Sequence, residues 1–236
     1  MIAGTVLMSF AAVADVTVSQ SASGLSASTP FDSTSPGGGS LLYETSTNLG
    51  TSGAVTITVN AGSSATGILQ TFQGVDAILE GFAFWSPGVN NPTTGSYTIS
   101  LLDYGSVGPI TTSAQMNGTA TTIFSDTFTF PNTLARQYYF DFTDSAVLNS
   151  SDYYGILMSF SNAGGSGNIN AARTTQDSYS GGAYGTGAAG STTANSSRDL
   201  DFAIYTTPTP EPSTVAMITC GALALWFTRH YRARTK

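Results

Sequence analysis

Histidine, cysteine and lysine are almost missing from this chain, and each gap removes a class of chemistry. The one histidine, His230, and the one lysine, Lys236, both lie among the last residues. A Ser-His-Asp or Cys-His arrangement needs an imidazole beside its nucleophile, and nothing upstream of residue 230 supplies one. Histidine-ligated metal is excluded there for the same reason. The one cysteine, Cys220, falls in an apolar run near the end, so no intra-chain disulfide can form. The glycine clusters Gly37-Gly38-Gly39 and Gly164-Gly165-Ser166-Gly167 lack the following helix and lysine of a phosphate-cradling loop.

Positive charge is scarce too. Before the final residues the only cations are Arg136, Arg173 and Arg198, and between Asp15 and Thr209 they face 13 acids. That balance gives no electrostatic footprint for nucleic acid, so no nucleic-acid partner is expected. Thr, Ser, Asn and Gly take the place of charge, a composition suited to a surface kept soluble by hydroxyls and amides.

What is present is period-two alternation. At 236 residues the chain can hold one sizeable domain. Residues 55–59 (Val-Thr-Ile-Thr-Val) alternate cleanly, and similar runs occupy 68–72, 77–85, 97–104, 124–130, 138–143, 154–160 and 199–205. In 77–85 the alternation places Ile78, Phe82 and Phe84 on one face, with Glu80 interrupting, and Leu79, Ala83 and Trp85 on the other. Turn chemistry fills 86–95. Residues 162–197 are rich in Gly and Ser and read as a long loop with one short strand near 168–171. Nine or ten short strands with polar connections, and no heptad or strong amphipathic helix, predict an all-β fold: an antiparallel β-sandwich of jelly-roll type over residues 15–207.

The two ends read as addresses. Residues 1–14 carry an apolar stretch ending in Ala12-Val13-Ala14, the small-x-small pattern that signal peptidase cleaves. No basic residue precedes that stretch, which fits a signal peptide truncated at its start; a buried first strand is the competing reading. At the other end, residues 208–236 hold Pro210-Glu211-Pro212, an apolar helix over 213–228, and a basic tail over 229–236 with Arg229, Arg232, Arg234 and Lys236. The apolar core of 14 residues would span about 21 Å as a helix, short of the ~20 residues that cross a bilayer comfortably. Snorkelling of Arg229 and Arg232 and local thinning make up the difference, with the tail on the cytoplasmic side. One short C-terminal transmembrane helix is therefore expected, occupying the membrane transiently.

A Pro-Glu-Pro box, a short apolar helix and a basic tail, in that order, resemble the PEP-CTERM sorting signal of exported bacterial proteins. The resemblance implies recognition by a membrane exosortase, cleavage at or near Pro210-Glu211-Pro212, and delivery to the cell surface or an extracellular matrix. Proteins of that family occur in bacteria that make exopolysaccharide, and many are structural or carbohydrate-associated. The runs 67–72, 95–101 and 198–205 are also similar to strand motifs in the exported domains that carry this signal. An ordinary, unprocessed anchor is the alternative for the same residues.

Within the domain no catalytic set stands out. For carbohydrate contact the candidates are Trp85, Tyr104, Arg173, Asp177, Tyr179 and Tyr184, because sugar faces need aromatic platforms and planar polar groups. Each has a structural competitor, a core position for Trp85 and a loop-pinning ion pair for Arg173 and Asp177. Asp199 and Asp201 are the candidate calcium ligands, since alternation would put both carboxylates on one face about 7 Å apart; Asp177 or Asn195 could join them, although no full calcium loop motif is present. The leading expectation is a non-enzymatic envelope or matrix protein that binds polysaccharide. A structural or adhesion subunit working through other matrix proteins, and a calcium-dependent glycan hydrolase, remain open.

Overall fold

The structure is a computed structural model and describes residues 16–22, 25–45, 55–60, 67–90, 96–160, 167–174, 177, 179–188 and 190–209. The signal-like start and the Pro-Glu-Pro segment with its helix and tail lie outside the described residues. Among those described, the strands are β1 (Val16–Gln20), β2 (Ser40–Glu44), β3 (Val55–Asn60), β4 (Gly67–Gln73), β5 (Ala77–Ser86), β6 (Val89–Asn90), β7 (Tyr97–Gly105), β8 (Thr121–Phe128), β9 (Arg136–Val147), β10 (Tyr153–Phe160), β11 (Asn168–Arg173), β12 (Tyr184–Thr186), β13 (Thr193–Asn195) and β14 (Phe202–Pro208). One helical turn, α1 (Ser113–Met116), precedes β8, started by a capping box between Thr112 and Gln115. No helix of the described residues is long and apolar enough to cross a membrane.

Two antiparallel sheets form the sandwich. One has the order β1-β9-β5-β14-β2 and the other β13-β12-β4-β10-β7-β8, while β3-β11-β6 makes a small third sheet. The inner faces follow from alternation. Phe82 and Phe84 of β5, Tyr138, Phe140 and Phe142 of β9, and Phe202 and Ile204 of β14 share one buried core with Ile68 and Phe72 of β4, Tyr97, Ile99 and Leu101 of β7, Phe128 of β8, and Ile156 and Met158 of β10. Rings lock the layers together: Phe128 meets Phe140 edge-on at 4.8 Å, and Phe124 meets Phe142 at the same separation. Phe130, in the β8–β9 connection, packs against Tyr97, Phe128 and Tyr138. Burying each such ring contributes roughly 1.5–3 kcal/mol.

The facing expected for β5 changes at Glu80. Thr206 of β14 pairs with Leu79 but Tyr205 pairs with Gly81, so Glu80 is an extra residue, a bulge. The bulge resets the phase and turns Leu79 into the same core as Phe82 and Phe84, whereas the unbroken alternation would have set it opposite. Glu80 itself accepts a hydrogen bond from the Thr207 hydroxyl at 2.7 Å.

The outer face of the five-stranded sheet is covered as well. Phe31 packs on Ala83, Tyr139, Ala203 and Tyr205, with Leu41 and Trp85 at the margin. The segment 25–39 is held there by Gln137 Nε2 donating to the Thr29 and Pro30 carbonyls (2.8 and 3.2 Å), by the Tyr205 hydroxyl donating to the Asp32 carbonyl (3.0 Å) and by Gly37 N–H donating to Asp141 Oδ1 (2.9 Å).

The late Gly/Ser-rich region is more ordered than its composition suggests. β11 is the centre of the small sheet, and β12 and β13 extend the six-stranded sheet beyond β4. Docking depends on Thr71, whose backbone N–H donates to the Ala183 carbonyl and whose hydroxyl accepts from Ala183 N–H. Gly182 permits that approach: a Cβ there would lie 2.0 Å from the Thr71 carbonyl oxygen.

Because Phe140 touches rings from both layers, Phe140→Ala should lower unfolding stability by about 3–5 kcal/mol. Ile123→Ser, at a position 41% exposed, should change it by less than about 0.5 kcal/mol. Urea titration of both variants checks the contrast.

Candidate functional site

One end of the sandwich carries an open polar cleft of about 460 Å³, lined by Asp76, Asp103, Val147, Leu148, Asn149, Asp152, Tyr154 and Thr209. Its walls are strand ends and the loops that join them. Asp76 receives the Ser150 N–H on Oδ1 and the Ser150 hydroxyl on Oδ2, both at 3.0 Å, and these donors hold its carboxyl below the usual range. Asp103 Oδ1 accepts Gly105 N–H at 2.7 Å. The Asn149 N–H donates to the Tyr154 hydroxyl at 3.0 Å, and Gly74 N–H donates to the Asp152 carbonyl at 2.8 Å. Gly74 lets the two connections touch, since a Cβ there would sit 2.2 Å from the Asn149 carbonyl oxygen. Three carboxylates beside an amide and a tyrosine make an acceptor-rich surface matched to a ligand with many hydroxyl donors. A general acid for glycoside cleavage needs a raised carboxyl, a role that the lowered Asp76 does not suit.

The six residues expected to contact carbohydrate do not share a surface. Trp85 is half-buried on the outer face of the five-stranded sheet, beside Ala27 and Ala172. Tyr104 is on the opposite side of the sandwich, in a small core with Ile110 and Met116. Its hydroxyl donates to the Met116 carbonyl at 3.1 Å, and burial pushes the phenol up to about 12. Tyr184 is buried with its hydroxyl accepting from Asn195 Nδ2 at 3.1 Å. Tyr179 lies between Tyr43 and Phe202 and accepts Gln73 N–H at 2.9 Å. Arg173 is half-buried at the end of β11, and Asp177 is exposed. Tyr104, Tyr179 and Tyr184 are thus packing residues with occupied hydroxyls, and their faces are not a platform.

Asp199 and Asp201 also part company. Asp199 precedes β14, and its carboxylate accepts Gln70 Nε2 at 3.1 Å and Tyr179 N–H at 2.8 Å, while its backbone exchanges bonds with Thr174. It ties the late loop to β4. Asp201 is fully buried with neither carboxylate oxygen hydrogen-bonded. Among the described residues no group of three or more His, Cys, Asp or Glu side chains could hold a metal.

The chain matches no protein-family model and no curated protein. Similarity therefore adds nothing to the residues themselves.

Burial, and then the Glu44 carboxylate, hold the Asp201 carboxyl well above the ordinary range. A carboxyl raised in the folded state contributes stability that is fully present below the unfolded pKa of about 3.9 and is lost as pH rises through the folded value. In chelator-treated protein, Asp201→Asn should therefore raise Tm at pH 7 by roughly 3–10 °C, for a relieved burial penalty of about 1–3 kcal/mol. The gap should close near pH 4, and thermal melts across that range measure it.

Proposed function

We propose that this is a non-enzymatic protein, exported and sorted through a PEP-CTERM-type signal, that works at the cell surface or in an extracellular matrix by binding polysaccharide through the cleft around Asp76, Asp103 and Asp152. The observation that carries the binding part is the chemistry of that cleft, whose open, acceptor-rich wall suits the hydroxyls of a chain ligand.

The finer fold reading belongs to the same proposal. The order β2-β14-β5-β9 opposite β4-β10-β7-β8 supports a jelly roll, in which two Greek keys alternate between the sheets. Thr209, the residue after β14, lines the cleft, so a sorting tail would leave the domain beside the bound polysaccharide. Signal peptidase and exosortase are the expected partners during export, and the membrane is met through the C-terminal helix before processing.

On glycan arrays and on the host's own exopolysaccharide the purified protein should be retained, and Asp103→Ala or Asp152→Ala should weaken retention about tenfold or more, the loss of a hydrogen bond to a charged group being worth roughly 1.5–3 kcal/mol. Retention on no polysaccharide would overturn the binding reading. Mass spectrometry of the protein secreted by its natural host tests the sorting: the mature species should end near Pro210-Glu211-Pro212, and an intact 214–236 segment in the secreted form contradicts it.

A further inference from the structure

The outer face of the five-stranded sheet holds a group that the cleft does not use. Asp201 is on β14's N-terminal shoulder, directly across from Trp85: Phe202 pairs with Phe84, and Trp85 N–H donates to the Asp201 carbonyl at 3.0 Å. Both Asp201 carboxylate oxygens are buried without a hydrogen-bond partner, and so is Trp85 Nε1. A second acid on this face is Glu44, which pairs with Ala203 on the other side of β14. Its Oε2 accepts the N–H of Phe31, from the covering segment, at 3.1 Å, and its charge acts on both Asp201 and Tyr205.

Two carboxylates brought together on adjacent strands, one of them sealed from water, are unfavourable unless the charge is neutralised. Among the described residues no donor, cationic or neutral, reaches either carboxylate oxygen of Asp201. Ala27 and Ala172 close the Trp85 side of the face. The ligand that suits such a place is compact, doubly positive and oxygen-seeking. With no thiol or imidazole among the described residues, soft and borderline metals are disfavoured, whereas calcium takes carboxylate and backbone carbonyl oxygens in flexible geometry.

We propose that Asp201 and Glu44 form a calcium-class cation site between β14, β2 and the covering segment, with backbone carbonyl oxygens and water completing the shell. The site is independent of the polysaccharide cleft. It replaces the Asp199–Asp201 pair read from alternation, because Asp199 is bound to Gln70 and Tyr179. Bound calcium would pin Glu44, and through it Phe31, onto the sheet, so the cation would act as a staple for segment 25–39.

Terbium luminescence tests this directly, since an indole next to the site sensitises a bound lanthanide. The full-length protein carrying Trp226→Phe leaves Trp85 as its only indole. Excited at the indole band, it should give terbium emission that calcium displaces. Asp201→Asn should abolish the emission and Glu44→Gln should weaken terbium binding tenfold or more. Asp76→Asn, in the exposed cleft, should leave it unchanged. Calcium at a hundredfold excess over its Kd should raise Tm by roughly 5–10 °C over chelator-treated protein, and that rise should be missing in Asp201→Asn. Should Asp201→Asn fail to fold, Trp85→Phe serves: it should remove the luminescence while keeping the calcium-dependent rise in Tm. Terbium emission that survives Asp201→Asn or Glu44→Gln, emission lost in Asp76→Asn, or a Tm indifferent to calcium while Asp201→Asn stabilises at neutral pH, the behaviour of a carboxyl neutralised by a proton alone, would each overturn the proposal.

Discussion

The interlock of aromatic rings between the two sheets is the constraint on which the rest of the molecule depends. Phe128 and Phe130 reach from the β8 end across to Phe140 and Tyr138 of β9, and Phe82 stacks between Phe140 and Phe202 within the opposing layer. Because Tyr138, Phe140, Phe82 and Phe202 lie on the adjacent strands β9, β5 and β14, a slip of any one of these strands by a single residue would turn its rings to the other face. The aromatic pattern therefore fixes strand register, and register fixes where the loops at each end meet. The cleft around Asp76, Asp103 and Asp152 exists because β4–β5, β7 and β9–β10 all end at the same level.

With few charges to solvate its surfaces, the protein satisfies many of its buried polar groups with amides and hydroxyls. Gln70, buried on β4, donates to Asp199 and accepts from Leu200 N–H. Thr45 accepts Phe202 N–H and donates to the Leu200 carbonyl. Thr71 and Thr174 do the same for the late loop. A hydroxyl both donates and accepts, so one Thr can close a backbone pair where a strand ends, which explains how a region with few apolar anchors still docks onto the sheet.

The sequence made the sandwich legible because large apolar side chains recur at every second residue, Tyr97, Ile99 and Leu101 in β7, Tyr138, Phe140 and Phe142 in β9, and Tyr154, Ile156 and Met158 in β10, and all of them share one core. It misled where an event at one residue changes the phase. Glu80 looked like a polar intrusion in an apolar face, yet as a bulge it turns Leu79 inward. Strands β12 and β13 were hidden because Tyr184–Thr186 and Thr193–Asn195 are three residues each and pair mainly to extend β4's edge, a tertiary demand with no local signature. The cleft was unreadable for the same reason: Asp76 and Asp152 sit in two separate connections and Asp103 near the end of β7, with no shared spacing. The aromatic candidates were chosen for ring chemistry, and burial, the property that decides whether a ring face is offered, is not visible in a single strand-end residue such as Tyr104.

Asp-x-Asp at 199–201 shows most plainly how alternation fails at a strand's start. The period-two rule gives both carboxylates one face only if both residues belong to the strand, but β14 begins at Phe202. Asp199 is free to turn toward Gln70, 129 residues away in the chain, while Asp201 is fixed opposite Trp85. The scarcity of cations then bears on the second acid in a way it does not on the first. Asp199 is held by neutral donors that were available in a chain full of amides. Asp201 lies beside Trp85 and Ala172, and among the described residues no donor reaches its carboxylate, so a proton or a metal is left to balance it. A domain with three arginines and no lysine upstream of its tail has delegated that balance to its surroundings, and its stability should follow the cation content of the medium in which it works.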